Sequence, residues 1–258
     1  MANGTREERL EVVSSFIIRG DNMETLQEWL KSKEVEYLRR CSVKQLMEKE
    51  FSRNPMRAIF YRPNIFYSPC DGIVLYKKVV DPDKELLSIK GESLTLQDIM
   101  CDYSYSKKSL VIGIFLSIYD VHYCRMPTNG IVKIERLPSL YIENLTMTKL
   151  ENSIIKEAKI DYDTLEYLFT NERWITRVYY PRYNMEYYLV EIADLEVNAI
   201  VHYASNDDYL LQGQRLSFVT YGSHVDMIIP YRRNLKILVP NDNIYHVKAG
   251  IDPLVEIV

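Results

Sequence analysis

Cysteine is scarce in this 258-residue chain, and the cysteines it has lie far apart. The four are Cys41, Cys70, Cys101 and Cys124, and no pair has the Cys-x-x-Cys spacing. Such spacing fits neither a disulfide framework nor a zinc site built on thiolates. Reduced thiols in a cytoplasmic protein are the simplest interpretation.

Long apolar runs are also missing. No window approaches the roughly 20 apolar residues that a membrane-spanning helix needs. Residues 1–8 carry charges of both signs and lack the apolar core of a signal peptide. We therefore expect a cytoplasmic protein that is either soluble or attached peripherally to a membrane.

The chain has no excess of positive charge and no common nucleotide-binding motif. Its 32 basic and 36 acidic residues give a net charge of −4, unlike the strong basic excess of a nucleic-acid-binding protein. Neither a P-loop nor a dinucleotide-binding glycine pattern is present. The histidines are scattered without metal-binding spacing, so the sequence predicts no metal site.

Hydrophobic residues make up 47% of the chain, enough for a sizeable core. The N-terminal pattern predicts helices at about residues 10–19, 22–33 and 34–51. Their apolar faces can pack on the main fold or lie in a bilayer interface. Packing is favoured because the polar faces are not notably basic.

The pattern changes at residue 65 to short β-type runs separated by turns. Strands are predicted at residues 72–76, 110–116, 130–134, 187–192, 199–201, 218–221, 225–229 and 235–239. A helical turn is predicted at 94–100, and 148–159 is either a helix or a loop. We therefore predict an α+β fold, with N-terminal helices (1–55) on a mainly antiparallel β-sandwich or barrel-like domain (56–258).

Two of these runs meet at Gly222, Ser223 and His224. A glycine in a strand pattern usually marks a bulge or a close backbone approach. A serine hydroxyl can also attack the preceding glycine carbonyl, because glycine adds no side chain there and tolerates unusual dihedral angles. Elimination from the resulting ester breaks the chain, and hydrolysis leaves a pyruvoyl group in place of the serine.

Two other candidate residues follow or precede predicted strands. His122 lies just past the run 110–116, between Asp120 and Arg125, and loops after strands often carry catalytic groups. This stretch alone also fits a surface loop with a local ion pair. Asp71 lies in a Pro-to-Gly turn, where aspartate is common. A Ser223–His122–Asp71 hydrolase is conceivable, but the Gly-x-Ser-x-Gly elbow is missing.

Seven stretches together resemble, in order, the motifs of the phosphatidylserine decarboxylase family of pyruvoyl enzymes. They are residues 51–57, 68–72, 89–96, 120–130, 171–173, 213–223 and 247–250. Each motif is short, but seven in the family's order are hard to obtain by chance. The resemblance covers about residues 51–258.

The resemblance implies self-cleavage between Gly222 and Ser223. The products would be a β chain of residues 1–222 and an α chain whose first residue is a pyruvoyl group made from Ser223. This group would act as the electron sink for decarboxylating phosphatidylserine to phosphatidylethanolamine. Asp71 and Ser223 match two members of the family's Asp-His-Ser cleavage arrangement, and His122 matches the histidine that handles substrate and proton.

Three positions depart from the family pattern. Arg125 stands where the cleavage histidine is usual, Ser217 where glycine is usual, and His224 where threonine or serine is usual. An arginine stays protonated and cannot be a general base, although it can stabilise an oxyanion. Our hypothesis is that His224 or His122 replaces the missing base.

Two alternatives stay open beside the lipid decarboxylase. One is the same chemistry on a soluble amino-acid-type amine, since the low positive charge does not favour docking on anionic lipid. The other is an uncleaved relative that acts as a binding or scaffold protein, which Arg125 favours. The expected partner is phosphatidylserine or another amine, with peripheral membrane contact and no nucleic acid, and a homodimer is left open.

Overall fold

The computed structural model describes residues 23–137, 144–194, 199–220 and 222–258. The predicted helix at 10–19 lies outside these ranges. Helices within them are α1 (Leu26–Leu30), α2 (Lys33–Leu38), α3 (Val43–Gln45), α4 (Leu96–Met100), α5 (Thr148–Glu157) and α6 (Tyr167–Thr170). A π-helical turn occupies Leu46–Glu50, and 3₁₀ turns occupy Tyr162–Thr164 and Pro181–Tyr183.

Strands make up most of the remaining regular structure. The first nine are β1 (Glu24–Thr25), β2 (Ile65–Tyr67), β3 (Gly72–Val80), β4 (Glu85–Ile89), β5 (Glu92–Thr95), β6 (Ser109–Leu116), β7 (Tyr123–Arg125), β8 (Gly130–Leu137) and β9 (Arg173–Tyr180). The others are β10 (Met185–Ala193), β11 (Ile200–His202), β12 (Tyr209–Leu210), β13 (Arg215–Val219), β14 (Ser223–Pro230), β15 (Leu235–Ile237), β16 (Tyr245–Val247) and β17 (Pro253–Ile257).

One nine-stranded sheet, here called the large sheet, organises the fold. Its strand order is β1-β16-β3-β6-β14-β10-β9-β8-β12, and all its pairings are antiparallel. Strands β11-β13-β7 form a second sheet, here called the small sheet, and β15-β17-β2 form a third. Strands β4 and β5 pair as a hairpin. The predicted α+β class with a mainly antiparallel core is confirmed.

The centre of the large sheet is apolar on both faces. All eight residues of β6 are buried, which explains why its sequence is a continuous apolar run rather than an alternating one. Val111 and Phe115 join one core cluster with the N-terminal helices, whereas Ile112 and Ile114 join a second cluster with the third sheet. Burial of each such side chain contributes about 1.5–3 kcal/mol.

Capping side chains divide the N-terminal helical stretch into short helices. Thr25 and Ser42 each form a capping box with the third helical residue, and the Ser32 hydroxyl accepts from the Val35 N–H. The prediction of one helix over 34–51 is therefore wrong, because α2 ends at Leu38 and Ser42 starts a new helix. Helices α1 and α2 pack on the large sheet, as expected.

Several central strands of the large sheet begin or end next to one another. This row of strand ends is here called the site edge. Ser223 at the start of β14 lies opposite Leu116 at the end of β6 and Ala193 at the end of β10. Gly72 at the start of β3 approaches β6 so closely that an added Cβ would lie 2.3 Å from the Phe115 carbonyl oxygen. The fold therefore brings Asp71, the loop 117–122 and Ser223 to the same edge.

Candidate active site

Ser223 is fully buried as the first residue of β14. Among the described residues, none forms a hydrogen bond with its Oγ atom. Leaving a buried hydroxyl without a partner costs about 1–3 kcal/mol. Such an atom in a folded protein calls for an explanation, and a catalytic role is one of the few available.

Both the backbone N–H and the side chain of Asp194 lie close to Gly222. The Asp194 N–H donates a hydrogen bond to the Gly222 carbonyl oxygen at 3.1 Å. A Cβ atom added to Gly222 would lie 3.0 Å from the Asp194 Oδ2 atom. Glycine suits the position because the carboxylate occupies the space of a side chain. The same N–H is placed to stabilise negative charge on the Gly222 oxygen.

The 171–173 motif holds the end of β10 in place beside Gly222. The Glu172 carbonyl accepts from the Ala193 N–H at 2.9 Å, and the Asn171 Nδ2 atom donates to the Ala193 carbonyl at 2.8 Å. The Asp194 Oδ1 atom accepts from the Met147 N–H at 2.8 Å. These bonds fix the backbone that carries the Asp194 N–H.

His122 is fully buried in the loop between β6 and β7. Its Nδ1 atom lies 3.0 Å from the Asp120 carbonyl oxygen, and its ring lies against Phe51 with 3.9 Å between ring centroids. Burial lowers the pKa of His122 to about 4. Within the described part of the chain, nothing bonds to its Nε2 atom. His122 is thus a neutral imidazole with one nitrogen available.

Asp71 is buried in a two-pronged ion pair with Arg57. The Arg57 Nη1 and Nη2 atoms lie 2.6 and 2.5 Å from the two carboxylate oxygens of Asp71. The Ala249 N–H donates to the same carboxylate at 2.8 Å. Asp71 therefore joins the stretches 51–57, 68–72 and 247–250, three of the seven motifs that carry the family resemblance.

Arg125 lies near Asp71 but forms no ion pair with it in the described structure. Its Nη1 atom donates to the Gly213 carbonyl at 2.7 Å, and its N–H donates to the Pro69 carbonyl at 2.6 Å. Burial lowers the pKa of Arg125, as do the charges of Arg57 and Arg215. The guanidinium remains protonated at neutral pH.

His224 faces away from Ser223, because successive side chains of a strand point to opposite faces of the sheet. Its Nδ1 atom is 3.1 Å from the Tyr167 hydroxyl, and its Nε2 atom is 3.2 Å from the Tyr76 hydroxyl. The Tyr76 hydroxyl also donates to Asp226 at 2.7 Å. Because both nitrogens already have partners, His224 is less available as a base than His122.

The interpretation of the His122 stretch as a surface loop is wrong, because Asp120 and His122 are buried. Asp120 pairs with His246 at 2.6 Å rather than with Arg125. His246 in turn stacks on Trp29 with 4.3 Å between ring centroids. The Asp120–His246 pair and the stacking of His246 on Trp29 therefore attach the loop to the core.

The described residues contain no group of three or more His, Cys, Asp or Glu side chains suited to holding a metal ion. No helix in the described ranges is long and apolar enough to cross a bilayer. The site itself presents a buried hydroxyl, a neutral imidazole and an oriented backbone N–H.

A model of the phosphatidylserine decarboxylase family matches residues 47–253. The phosphatidylserine decarboxylase proenzyme of Pelagibacter ubique (strain HTCC1062) is 31% identical over 189 residues, which cover 73% of this chain and 71% of that protein. The proenzyme of Cupriavidus pinatubonensis is 26% identical over 192 residues, 74% of this chain and 70% of that protein. That of Geobacter metallireducens is 26% identical over 187 residues, which cover 72% of this chain and 68% of that protein.

This chain belongs to the phosphatidylserine decarboxylase family. It is accordingly a decarboxylase, a carboxy-lyase, and the family resemblance stated from the motifs is confirmed. The division into residues 1–55 and 56–258 stays a prediction.

Sequence reasoning gave no role to several residues at the site edge. Arg57 and Arg53 lie in the recognised stretch 51–57, and Arg53 binds the Tyr119 carbonyl at 2.6 Å, so a signal for them existed. Asp194 had no such signal. Its position beside Gly222 depends on the pairing of β10 with β14, which the local pattern does not specify.

Proposed function

We propose that the protein cleaves itself between Gly222 and Ser223. It then decarboxylates phosphatidylserine to phosphatidylethanolamine with a pyruvoyl group made from Ser223. The observation that carries this proposal is the buried Ser223 hydroxyl, which has no hydrogen-bond partner among the described residues and directly follows a glycine carbonyl that accepts an N–H from Asp194. The names of the relatives, phosphatidylserine decarboxylase proenzymes, support the substrate and a precursor form.

Cleavage begins with attack of the Ser223 Oγ atom on the Gly222 carbonyl carbon. The C–O bond forms, the peptide C–N bond breaks and the nitrogen takes a proton, which leaves an ester. Loss of the Ser223 Cα proton then expels the Gly222 carboxylate from Cβ. Water replaces the nitrogen of the remaining dehydroalanine, and ammonia leaves. The Asp194 N–H stabilises the oxyanion of the first step.

His122 is the proposed base for the Ser223 hydroxyl proton. Its low pKa keeps it neutral, and its Nε2 atom has no partner among the described residues, whereas both nitrogens of His224 are in contact with tyrosine hydroxyls. Asp71 acts as a positioning residue, because Arg57 and the Ala249 N–H already bind its carboxylate.

The residues present fit a prosthetic group made from Ser223. Position 223 is buried, and the next residue, His224, is fixed by the hydroxyls of Tyr76 and Tyr167. The pyruvoyl group supplies a ketone that binds the substrate amine and accepts the electron pair of the breaking C–C bond. His122 is the proposed residue that returns a proton to the substrate carbon. A membrane-lipid substrate fits a cytoplasmic enzyme at a membrane surface.

Intact-mass measurement and gel analysis of freshly made protein test the cleavage step. We expect two chains, with the shorter one beginning at a residue 223 that has lost its amine, and one unbroken chain for Ser223→Ala. An amine with borohydride should label only the cleaved protein. An unbroken wild-type chain that is never labelled would remove the self-cleavage proposal and favour a binding role.

Release of labelled carbon dioxide tests the substrate. Phosphatidylserine in mixed micelles and free amino acids, including serine, are compared with the same cleaved preparation. We expect release from phosphatidylserine at a higher kcat/KM than from any free amino acid. Faster release from a free amino acid would replace the lipid with a soluble substrate.

A further inference from the structure

Two arginines lie directly opposite each other in the small sheet. Arg125 at the end of β7 pairs with Arg215 at the start of β13. The pair borders an irregularity in the register between Arg215 and Ser217, and the charge of Arg215 acts on Arg125. Like charges on paired residues of neighbouring strands repel. The arrangement is therefore unfavourable unless an anion lies near both guanidinium groups.

The protein itself supplies little counter-charge. In the described structure Arg125 makes one side-chain hydrogen bond, to the neutral Gly213 carbonyl, and neither arginine forms an ion pair. The Arg215 guanidinium lies over the Tyr123 ring, 3.8 Å from its centroid. Asp71 is the nearby carboxylate that influences Arg125, and Arg57 already binds both of its oxygens.

This face of the small sheet adjoins the site edge. Tyr123 follows His122 in the chain, and the Val219 N–H donates to the His122 carbonyl at 3.1 Å. Tyr123 and Phe218 lie with 5.0 Å between ring centroids, so aromatic surface flanks the two cations. Arg125 and Arg215 are both only partly buried.

We propose that Arg125 and Arg215 form an anion subsite that binds the phosphodiester of an amine-bearing phospholipid headgroup. The proposal rests on the proposed decarboxylase function, and it names the chemistry by which that site distinguishes a lipid from a free amino acid. Paired guanidinium groups suit phosphate oxygens because their N–H groups donate in a fixed planar fork.

The reacting carboxylate of the substrate is a poorer candidate for the same subsite. That group loses its negative charge when carbon dioxide leaves. Cations that bind it tightly would stabilise the ground state more than the transition state and would slow the reaction. A phosphodiester keeps its charge throughout, so binding it holds the substrate without opposing the chemistry. Arg125 is then a substrate-binding residue rather than a group that stabilises the oxyanion.

Titration calorimetry with inorganic phosphate tests the subsite without requiring any decarboxylation. The wild type is compared with the Arg125→Gln/Arg215→Gln double variant. Arg233→Gln is the matched control, since Arg233 is exposed and lies past the end of β14 opposite to Ser223. We expect phosphate to bind the double variant about tenfold to a hundredfold more weakly than the wild type or the control. Equal affinities in all three proteins would overturn the proposal.

Thermal unfolding distinguishes loss of binding from loss of folding. Without phosphate, the double variant should melt close to the wild type, because the removal of like-charge repulsion offsets the loss of the Arg125–Gly213 bond and of the Arg215–Tyr123 contact. Phosphate should raise the Tm of the wild type and of Arg233→Gln but leave the double variant unchanged. A phosphate-induced rise of the same size in the double variant would also contradict the subsite.

Competition separates a lipid headgroup from free phosphate as the natural ligand. Glycerophosphoserine should displace inorganic phosphate from the wild type, and Arg215→Gln should raise the KM for phosphatidylserine about tenfold or more relative to Arg233→Gln. If phosphate binds but glycerophosphoserine does not compete, the headgroup assignment is wrong. If phosphate binding behaves as expected but no carbon dioxide is released, the decarboxylase proposal fails and the subsite stands.

Discussion

At the scale of single residues, His122 combines full burial with an Nε2 atom that has no hydrogen-bond partner in the described part of the chain. If it is the base for cleavage, His122→Gln should slow the splitting of newly made chain by about 10²–10⁴-fold. The wild-type rate should stay high down to about pH 5 and fall near pH 4, because the pKa is about 4. Timed gels after synthesis across pH 4–8 measure both effects. A midpoint near pH 6.5 would contradict this assignment.

The low pKa of His122 also predicts how the free energy of unfolding changes with pH. Between about pH 4 and 6.5 the unfolded chain binds a proton that folded His122 rejects, so the free energy of unfolding rises with pH in this window. The rise amounts to at most ~3 kcal/mol and levels off above pH 6.5. Urea unfolding in an uncleaved Ser223→Ala background, with and without His122→Gln, isolates this contribution.

The pKa of Glu151 is shifted in the opposite direction to that of His122. Burial raises the pKa of this α5 carboxyl to about 8, and the negative charge of Asp120 adds to the effect. The folded state therefore keeps a proton that the unfolded chain loses near pH 4.5, and stability falls as pH rises from 4.5 to 8.

Replacing Glu151 by glutamine removes this ionisation. In the Ser223→Ala background, Glu151→Gln should raise the free energy of unfolding by more than ~1 kcal/mol at pH 8–9 and by little at pH 5. The control is Glu157→Gln, which changes an exposed residue of the same helix. Equal effects of the two substitutions at every pH would show that burial of Glu151 is not the cause.

At the scale of elements, one buried carboxylate joins the large sheet to the small sheet. Glu191 on β10 accepts from the Ser217 hydroxyl on β13 and lies 2.9 Å from the His202 Nε2 atom on β11. Burial alone would raise the pKa of Glu191, but His202 and Ser217 lower it overall. The departure from glycine at position 217 thus supplies one of the bonds between the sheets.

Removing this carboxylate should loosen the small sheet. Glu191→Ala leaves His202 and Ser217 without their partner, so we expect a loss of about 3–5 kcal/mol in the free energy of unfolding. Cleavage should also slow, because β13 ends at Val219, three residues before Gly222. Glu186→Ala on the same strand is the control, since Glu186 is only half-buried. Urea unfolding and timed gels give the two measurements, and a cost equal to that of the control would contradict the role.

The elements differ in how far the sequence could predict them. Strands β6 and β10 follow from β-branched and apolar runs, and their buried faces agree with that pattern. The helix over 34–51 was mispredicted because the apolar spacing continues across Ser42, whose side chain starts a new helix. Ser223 and His122 were recognised by motif. The contacts of His202 and His246 were not, because their partners are fixed by the pairing of separate sheets.

At the scale of the whole molecule, the proposed cleavage would separate a central strand of the large sheet from the rest of the chain, not a peripheral segment. Strand β14, which would begin the α chain, pairs with β6 on one side and β10 on the other. Strand β16 inserts between β1 and β3 of the same sheet, and β15 and β17 complete the third sheet with β2. The segment 223–258 is thus held by three separate sets of backbone pairings.

Its apolar side chains are also core residues. Val225, Met227, Leu254 and Val255 are fully buried in a cluster shared with residues of the preceding chain. Separating the two chains would expose this surface, at a cost of roughly 25 cal/mol for each Å² of apolar area. Breaking one peptide bond at the sheet edge removes none of these contacts.

We therefore expect the cleaved chains to stay together under native conditions. Cleaved wild type and uncleaved Ser223→Ala should elute at the same volume on size exclusion, whereas a denaturing gel should resolve two chains only for the wild type. After denaturation and dilution the cleaved protein should refold less efficiently, because β14 must find its place between β6 and β10 from a separate chain. If the two chains separate in buffer without denaturant, the strand pairings of residues 223–258 are not enough to hold the two chains together.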